Sequence, residues 1–133
     1  MRPSVLSRAA TVAIAFGFVL VGVTWAQGPW MAPATEKEKK SPLPADEKVV
    51  AQGEKVAKVN CVACHGATGK GDGAAAAALN PKPADWTSGR VQEETDGELF
   101  WKISNGRGAM PPWKHLPEND RWAVVQYIHS LKK

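Results

Sequence analysis

The two cysteines of this 133-residue chain lie three positions apart, in the run Cys61-Val62-Ala63-Cys64-His65. On a helical turn, residues three apart share one face, so both thiols can reach the same edge of a flat ligand. The histidine that follows can turn its imidazole under the centre of that ligand. This spacing is typical of a c-type haem attachment site, in which two thiols form thioethers and the histidine binds iron.

Other kinds of site also use closely spaced cysteines. A thioredoxin-like redox pair needs a βαβ context, which the flanking sequence lacks. A structural zinc site needs four ligands, and no second Cys or His pair lies at ligand spacing. A disulfide between Cys61 and Cys64 would close too short a loop to add much stability. We therefore predict that Cys61 and Cys64 attach haem covalently.

The second axial ligand must come from another part of the chain. Met110 lies between a Gly-rich approach and two prolines, a context that presents a thioether rigidly. Methionine more often fills gaps in a core, but Met/His coordination is common in cytochromes c. His115 and His129 are the alternatives, and each is interpreted as an ordinary surface or hydrogen-bonded histidine. We predict His65 and Met110 as the axial ligands.

Three helices are predicted to position these residues. Residues 45–60 carry apolar side chains at helical spacing and lead directly into Cys61. The run Thr95-Asp96-Gly97-Glu98 is a capping box that starts a second helix, and Asn105-Gly106 ends it. Pro117 starts the last helix, which has acidic residues in its first turn. No segment alternates as a strand does, so the expected fold class is all-α.

The N-terminal residues predict export from the cytoplasm. A positively charged start, the apolar run from Ala9 to Val23 and the small-residue site Thr24-Trp25-Ala26 are the features of a signal peptide spanning residues 1–26. No charged residue occurs from Ala9 to Thr35, a stretch long enough to cross a bilayer, so residues 9–26 could instead remain as a membrane anchor. Both interpretations place the rest of the chain outside the cytoplasm.

The remaining residues are predicted to form a linker and one domain. Residues 27–44 contain four prolines and a cluster of charges with few apolar anchors, which predicts a flexible linker before a domain at 45–133. The net charge of the whole chain is +4, and without the two N-terminal arginines 15 basic groups face 13 acidic ones. This near balance, with no basic run interleaved with aromatics, predicts no nucleic-acid partner.

Residues 45–133 resemble a class I monohaem cytochrome c. Beyond the cysteine motif, the resemblance rests on Gly69-Lys70-Gly71-Asp72-Gly73, Asn80-Pro81-Lys82-Pro83-Ala84-Asp85, Met110-Pro111-Pro112-Trp113, and a closing helix with Trp122 and Tyr127. It implies a fold in which three main helices surround one covalently bound haem c, and the first and last helices cross.

The resemblance also implies two particular contacts. Gly53 on the first helix is expected to lie against Tyr127 or its neighbours on the last helix. A proline carbonyl is expected to accept the ring N–H of His65, and Pro81 and Pro83 are the candidates.

An iron with both axial positions filled by protein has no open site for a substrate and is suited to electron transfer. We therefore expect an electron carrier between redox partners in the bacterial periplasm, either soluble or tethered to the inner membrane, and not an enzyme. Two alternatives stay open. One is a haem enzyme or gas sensor in which Met110 is displaceable, and the other is a cytochrome subunit of a dehydrogenase or oxidase complex.

The donor and acceptor proteins have no signature in the sequence. Lysines that could steer an acidic partner are Lys55, Lys58, Lys70, Lys102 and Lys114. Scattered lysines are more typical of a solvated surface, so no particular partner is predicted from them. The chain is expected to be a monomer or a subunit of a respiratory or dehydrogenase complex.

Overall fold

The computed structural model describes residues 28–133, and within that range the secondary structure is helical. The three long helices are α2 (Glu47–Asn60), α5 (Asp96–Asn105) and α6 (Glu118–Ser130). The short elements are α1 (Ala34–Lys37), α3 (Val62–His65), a 3-10 turn (Ala76–Ala78) and α4 (Gly89–Gln92). The all-α fold class with three main helices is confirmed.

The predicted signal peptide or anchor at residues 1–26 lies outside the described residues. From residue 28 onwards, no helix is long and apolar enough to cross a membrane.

Helix α2 begins at Glu47, two residues after the predicted start at residue 45, and packs against α6. The side chain of Asp46 caps the helix by accepting a hydrogen bond of 2.8 Å from the backbone N–H of Val49. At Gly53 the two helices approach so closely that a β-carbon would lie 2.9 Å from the β-carbon of Tyr127. The predicted contact between these two residues is confirmed, and it sets the packing of the first helix on the last.

Helix α5 is capped by Thr95, whose hydroxyl accepts a hydrogen bond of 3.2 Å from the backbone N–H of Glu98. This is the bond that the Thr95 side chain makes in the predicted capping box. The carboxylate of Glu98 is engaged with two lysines instead: it lies 3.3 Å from Lys102 Nζ and 3.3 Å from Lys37 Nζ. Gly106, with a φ of +63°, ends the helix in a conformation that favours glycine.

One apolar core joins the three long helices and the loops between them. The buried members of this core are Ala57, Trp86, Val91, Leu99, Ile103, Trp122, Val124, Val125, Tyr127 and Ile128. Every residue of α6 from Trp122 to Ile128 is buried, so this helix is the centre of the domain. Three of the core positions are aromatic, which gives a small domain a large apolar area.

Residues 28–44, which we call the N-terminal strap, differ from the prediction of a flexible linker. They pack along the start of α5 through hydrogen bonds from Thr95 Oγ1 to the Lys37 carbonyl (2.8 Å) and from the Gly97 N–H to the Lys39 carbonyl (3.1 Å). Ala32 is buried at 5% exposure. The prediction counted apolar anchors and did not consider backbone hydrogen bonds, which join this segment to α5.

Candidate functional site: a haem attachment site

The cysteine motif is placed by the end of α2. The N–H of Cys61 donates to the carbonyl of Ala57 (2.8 Å), and α3 then carries the motif through one turn as far as His65. Cys61 and Cys64 are both free thiols and half-buried, so no disulfide joins them. Burial, followed by the neighbouring Cys64, raises the pKa of the Cys61 thiol to about 11. The pair therefore presents two intact thiols on one turn.

His65 is buried, with 9% of its surface exposed. Its Nδ1 lies 3.0 Å from the carbonyl oxygen of Ala84, to which the ring N–H donates. Burial lowers the pKa of the imidazole, although the hydrogen bond to Ala84 opposes this shift. A neutral ring whose Nδ1 is already hydrogen-bonded has Nε2 left to bind a metal, which is the usual arrangement of a histidine ligand.

The prediction that Pro81 or Pro83 accepts this hydrogen bond was wrong. The acceptor is Ala84, one residue after the second proline. The carbonyl of Pro83 points at Gly71, where a β-carbon would collide with it. Because successive carbonyls of an extended chain point in opposite directions, the next carbonyl faces His65 instead.

The glycine-rich loop after α3 holds the Ala84 segment in place. Gly69 and Gly71 have φ values of +73° and +72°, which only glycine adopts without strain. The Gly71 N–H donates to the His65 carbonyl (2.8 Å), and the Gly69 carbonyl accepts from the Trp86 N–H (2.7 Å). Trp86 in turn stacks on the His65 ring with centroids 4.5 Å apart. The loop thus fixes the histidine from two sides.

Met110 lies on a tight turn that follows α5. The N–H of Arg107 donates to the Met110 carbonyl (2.9 Å), and the N–H of Met110 donates to the Arg107 carbonyl (3.0 Å). A further hydrogen bond of 3.1 Å runs from the Trp113 N–H to the Ile103 carbonyl and joins the end of this segment to α5. Met110 is half-buried and packs against the same core as Cys61. The fold therefore brings the cysteine motif and the methionine to one core.

The two alternative histidines have other neighbours. His115 is exposed and lies beside the ring of Trp113, with centroids 5.4 Å apart. His129 Nε2 lies 3.2 Å from Asp96 Oδ1. In residues 28–133, no group of three or more His, Cys, Asp and Glu side chains is arranged to hold a metal ion.

The donor set fits a covalently bound haem. Two free thiols lie on one helical turn, the next residue is a neutral imidazole with Nδ1 satisfied, and a thioether is held on a fixed turn of the same core. Cys61 and Cys64 would form the thioethers, and His65 would bind iron. The apolar side chains of this core, or packed against it, include Trp86, Leu99, Ile103, Trp113 and Trp122.

Residues 48–128 match the family model described as cytochrome C oxidase, cbb3-type, subunit III. The chain belongs to this family of c-type cytochromes. It is therefore an electron-transfer haem protein, and its cofactor is one covalently bound haem c. The recognition of a monohaem cytochrome c from the sequence is confirmed.

Curated relatives include longer and shorter proteins. The cytochrome resembles the cbb3-type cytochrome c oxidase subunits CcoP of Azospirillum sp. (37% identical over 95 residues, 65% of this chain and 30% of the relative) and FixP of Bradyrhizobium diazoefficiens (40% over 83 residues, 61% and 27%). It is also 32% identical over 91 residues to cytochrome c6 of Cladophora glomerata, covering 64% of this chain and 91% of the relative. The chain spans less than a third of either oxidase subunit.

A solved structure supports the same fold. A chain of the reducing HAO-like protein complex of Kuenenia stuttgartiensis superposes on the cytochrome with a TM-score of 0.61 at 28% identity. The match covers 69% of this chain and 47% of that one.

The hydrogen bond from His65 to Ala84 and the buried ion pairs of Lys102 were not predicted from the sequence. Ala84 contributes a backbone carbonyl, for which its side chain gives no signal. Lys102, considered above as a surface lysine, is 8% exposed and pairs with Glu94 (2.7 Å) as well as with Glu98. The spacing of Glu98 and Lys102, four residues apart on one helix, was the available sign of this pair.

Proposed function

We propose that this cytochrome is a periplasmic electron carrier, not an enzyme, whose single haem iron is ligated by His65 and Met110. The observation that carries the proposal is the Met110 turn. Reciprocal backbone hydrogen bonds of 2.9 and 3.0 Å with Arg107 fix the methionine, and it shares a core with the cysteine motif. A backbone fixed in this way presents the thioether at one place beside the core, as an axial ligand requires.

Each ligand has a separate role in electron transfer. The bound haem supplies the one-electron chemistry. The hydrogen bond to Ala84 orients the His65 ring, which favours a constant geometry when the charge of the iron changes. A thioether ligand and an apolar surround of tryptophans and leucine disfavour the extra charge of the ferric state, so they raise the reduction potential.

A second proposal concerns assembly. Two relatives are named as subunits of cbb3-type oxidases, and the structural neighbour is part of a HAO-like complex. This resemblance supports a role as a subunit or direct donor of a respiratory complex, with redox proteins as partners. Isolation from the native membrane would test it, since a subunit co-purifies with the complex whereas a carrier is recovered as a free monomer.

The location of the protein is also a proposal. The predicted signal or anchor at residues 1–26 supports export to the periplasm, with the domain either released or tethered. The mass of the mature holoprotein tests this directly, because one value reports both the covalent haem and the removal of the first 26 residues.

The axial ligation can be tested by spectroscopy of the oxidised holoprotein. We expect the near-infrared-edge absorption band that accompanies methionine-to-iron ligation, and we expect slow carbon monoxide binding by the reduced form. Met110→Ala should abolish the band and open the iron to carbon monoxide, whereas His115→Ala and His129→Ala should leave both properties unchanged. Prompt carbon monoxide binding by the unaltered protein would instead favour the gas-sensor or enzyme alternative.

A further inference from the structure

The N-terminal strap contacts the turn that carries the proposed sixth ligand. We propose that residues 28–44 hold the Arg107–Met110 turn against α5 and thereby keep the Met110 thioether on the iron. This inference rests on the His65 and Met110 ligation proposed above. The strap precedes residues 48–128, which match the family model, so it is an addition to the part of the chain that defines the family.

Arg107 joins the first residues of the strap to the Met110 turn. Its guanidinium Nη2 donates a hydrogen bond of 2.9 Å to the carbonyl of Gly28. Its backbone exchanges hydrogen bonds with Met110 at 2.9 and 3.0 Å. Arg107 is therefore a positioning residue, because it acts on the iron through the backbone of Met110.

The other end of the strap is fixed to the start of α5. In addition to the bonds from Thr95 and Gly97 to strap carbonyls, the N–H of Ser41 donates to Asp96 Oδ2 (3.0 Å). Gly97 allows this close approach. A β-carbon at position 97 would lie 2.9 Å from the Lys39 carbonyl oxygen and 3.0 Å from the Glu36 carbonyl carbon.

Charges on α5 connect the two ends of the strap. Lys37 lies 3.3 Å from Glu98, and Lys102 Nζ lies 5.6 Å from the ring centroid of Trp30. Glu98 and Lys102 are both buried, and the strap is part of what covers them. Because α5 leads directly through Gly106 into the Met110 turn, a displaced strap would loosen both the helix and the turn.

Gly97→Ala is the sharpest test, because it pushes the strap away without touching the proposed haem site. Alanine is also the better helix former, so the helix itself should not suffer. Gly89→Ala is the matched control, since Gly89 is exposed and a β-carbon there meets nothing within 4 Å. Arg107→Gln tests the other end, and Arg107→Lys, which keeps a cationic donor, should restore part of the effect.

The readout is the affinity of the full-length oxidised holoprotein for added imidazole, which must displace the methionine, together with the intensity of the methionine-to-iron band. We expect Gly97→Ala and Arg107→Gln each to raise the affinity for imidazole about fivefold, because about 1 kcal/mol, the net value of one hydrogen bond, corresponds to that factor. Both variants should also have a weaker methionine-to-iron band. The two changes together should raise it by less than the product of the single effects, because both release the same strap.

The outcomes separate the two proposals. If the unaltered protein lacks the band, the Met110 ligation fails, and the strap inference fails with it. If the unaltered protein has the band and neither variant differs from Gly89→Ala, only the strap inference is overturned. If Gly97→Ala yields no holoprotein, the comparison of Arg107→Gln with Arg107→Lys tests the strap inference. The inference is overturned if both variants bind imidazole with the same affinity as the unaltered protein.

Discussion

Gly53 on α2 lies against Ala123 on α6 with no room for a side chain between the helices. A β-carbon at position 53 would be 2.5 Å from the carbonyl carbon of Ala123, a contact with backbone that cannot move aside. Helix α2 carries the haem cysteines at its end, and α6 is the most buried element of the domain. The close approach at Gly53 therefore helps to set the position of the attachment site relative to the core.

Gly53→Ala should destabilise the holoprotein in spite of the better helix propensity of alanine. The gain in propensity is about 1 kcal/mol, whereas overpacking against backbone costs about 3 kcal/mol, so we expect a net loss of roughly 2 kcal/mol. Denaturant unfolding followed by circular dichroism measures it. Gly89→Ala, at an open position, should be neutral or stabilising. A stable Gly53→Ala protein would show that the two helices can move apart.

Gly71→Ala should weaken the hydrogen bond between His65 and Ala84. The substitution strains a φ of +72° and drives a β-carbon into the Pro83 carbonyl, so the segment that carries the Ala84 carbonyl must shift. A histidine that loses this acceptor is a poorer electron donor to iron, and the reduction potential should rise. Potentiometry measures the potential, and NMR exchange of the His65 ring N–H reports the hydrogen bond.

Gly71→Ala should also lower the stability of the protein, through backbone strain and through the contact with Pro83. Gly108→Ala separates these two costs when the unfolding free energies of both variants are compared. Gly108 has a φ of +59° but an open surrounding, so alanine there should cost only the strain of about 1–2 kcal/mol. If Gly71→Ala and Gly108→Ala are equally stable, the Pro83 segment can move away from the new β-carbon at little cost in free energy.

The sequence predicted those parts of the site whose chemistry lies in side chains. Cys61, Cys64 and His65 are recognisable because their types and spacing are needed for one reaction, and Gly53 because a helix crossing excludes a side chain. Ala84 could not be predicted, because a backbone carbonyl is common to every residue and only the tertiary fold selects one. The strap escaped prediction for a similar reason, since its hydrogen bonds to α5 come from backbone atoms that composition does not distinguish.

Glu98 should make the stability of the domain depend on acid pH. Although burial opposes the shift, Lys102 and Lys37 together lower the pKa of Glu98 below its ordinary value of 4.5. A depressed folded-state pKa means that the unfolded state binds the proton more readily, so stability rises with pH across this interval. The contribution of Glu98 is complete above about pH 4.5 and is lost as the pH falls through the lower folded-state pKa.

Glu98→Gln should remove this pH dependence and lower the stability at neutral pH. Because Lys102 keeps Glu94 as a partner at 2.7 Å, the change leaves no buried charge unpaired, and we expect a loss of roughly 1 kcal/mol. Urea unfolding at a series of pH values from 7 downwards measures both effects. Glu93→Gln is the control, because Glu93 is exposed and close in sequence, and it should change the neutral stability by less than about 0.5 kcal/mol. A Glu98→Gln protein with an unchanged acid slope would contradict the assignment.

Gln92 joins the segment that carries Trp86 to the centre of the domain. Its amide Nε2 donates to the carbonyls of Trp86 and Ile128, at 2.7 Å in each case. The Ile128 carbonyl also accepts from the Leu131 N–H (3.1 Å). Gln92→Leu should therefore cost about 2 kcal/mol, chiefly by leaving the buried carbonyl of Trp86 without this donor.

Gln52→Leu is the matched comparison, because Gln52 Nε2 donates to Asp120 Oδ1 at the same 2.7 Å but on an exposed surface. Water replaces an exposed partner, so this substitution should change the unfolding free energy by less than about 0.5 kcal/mol. Denaturant unfolding of both variants under one set of conditions makes the comparison. If both variants lose the same unfolding free energy, the length of the hydrogen bond, and not the burial of the acceptor left without a donor, determines how much Gln92 stabilises the protein. A larger loss for Gln92→Leu would identify burial as the cause and would make Gln92 part of the support behind Trp86 and His65.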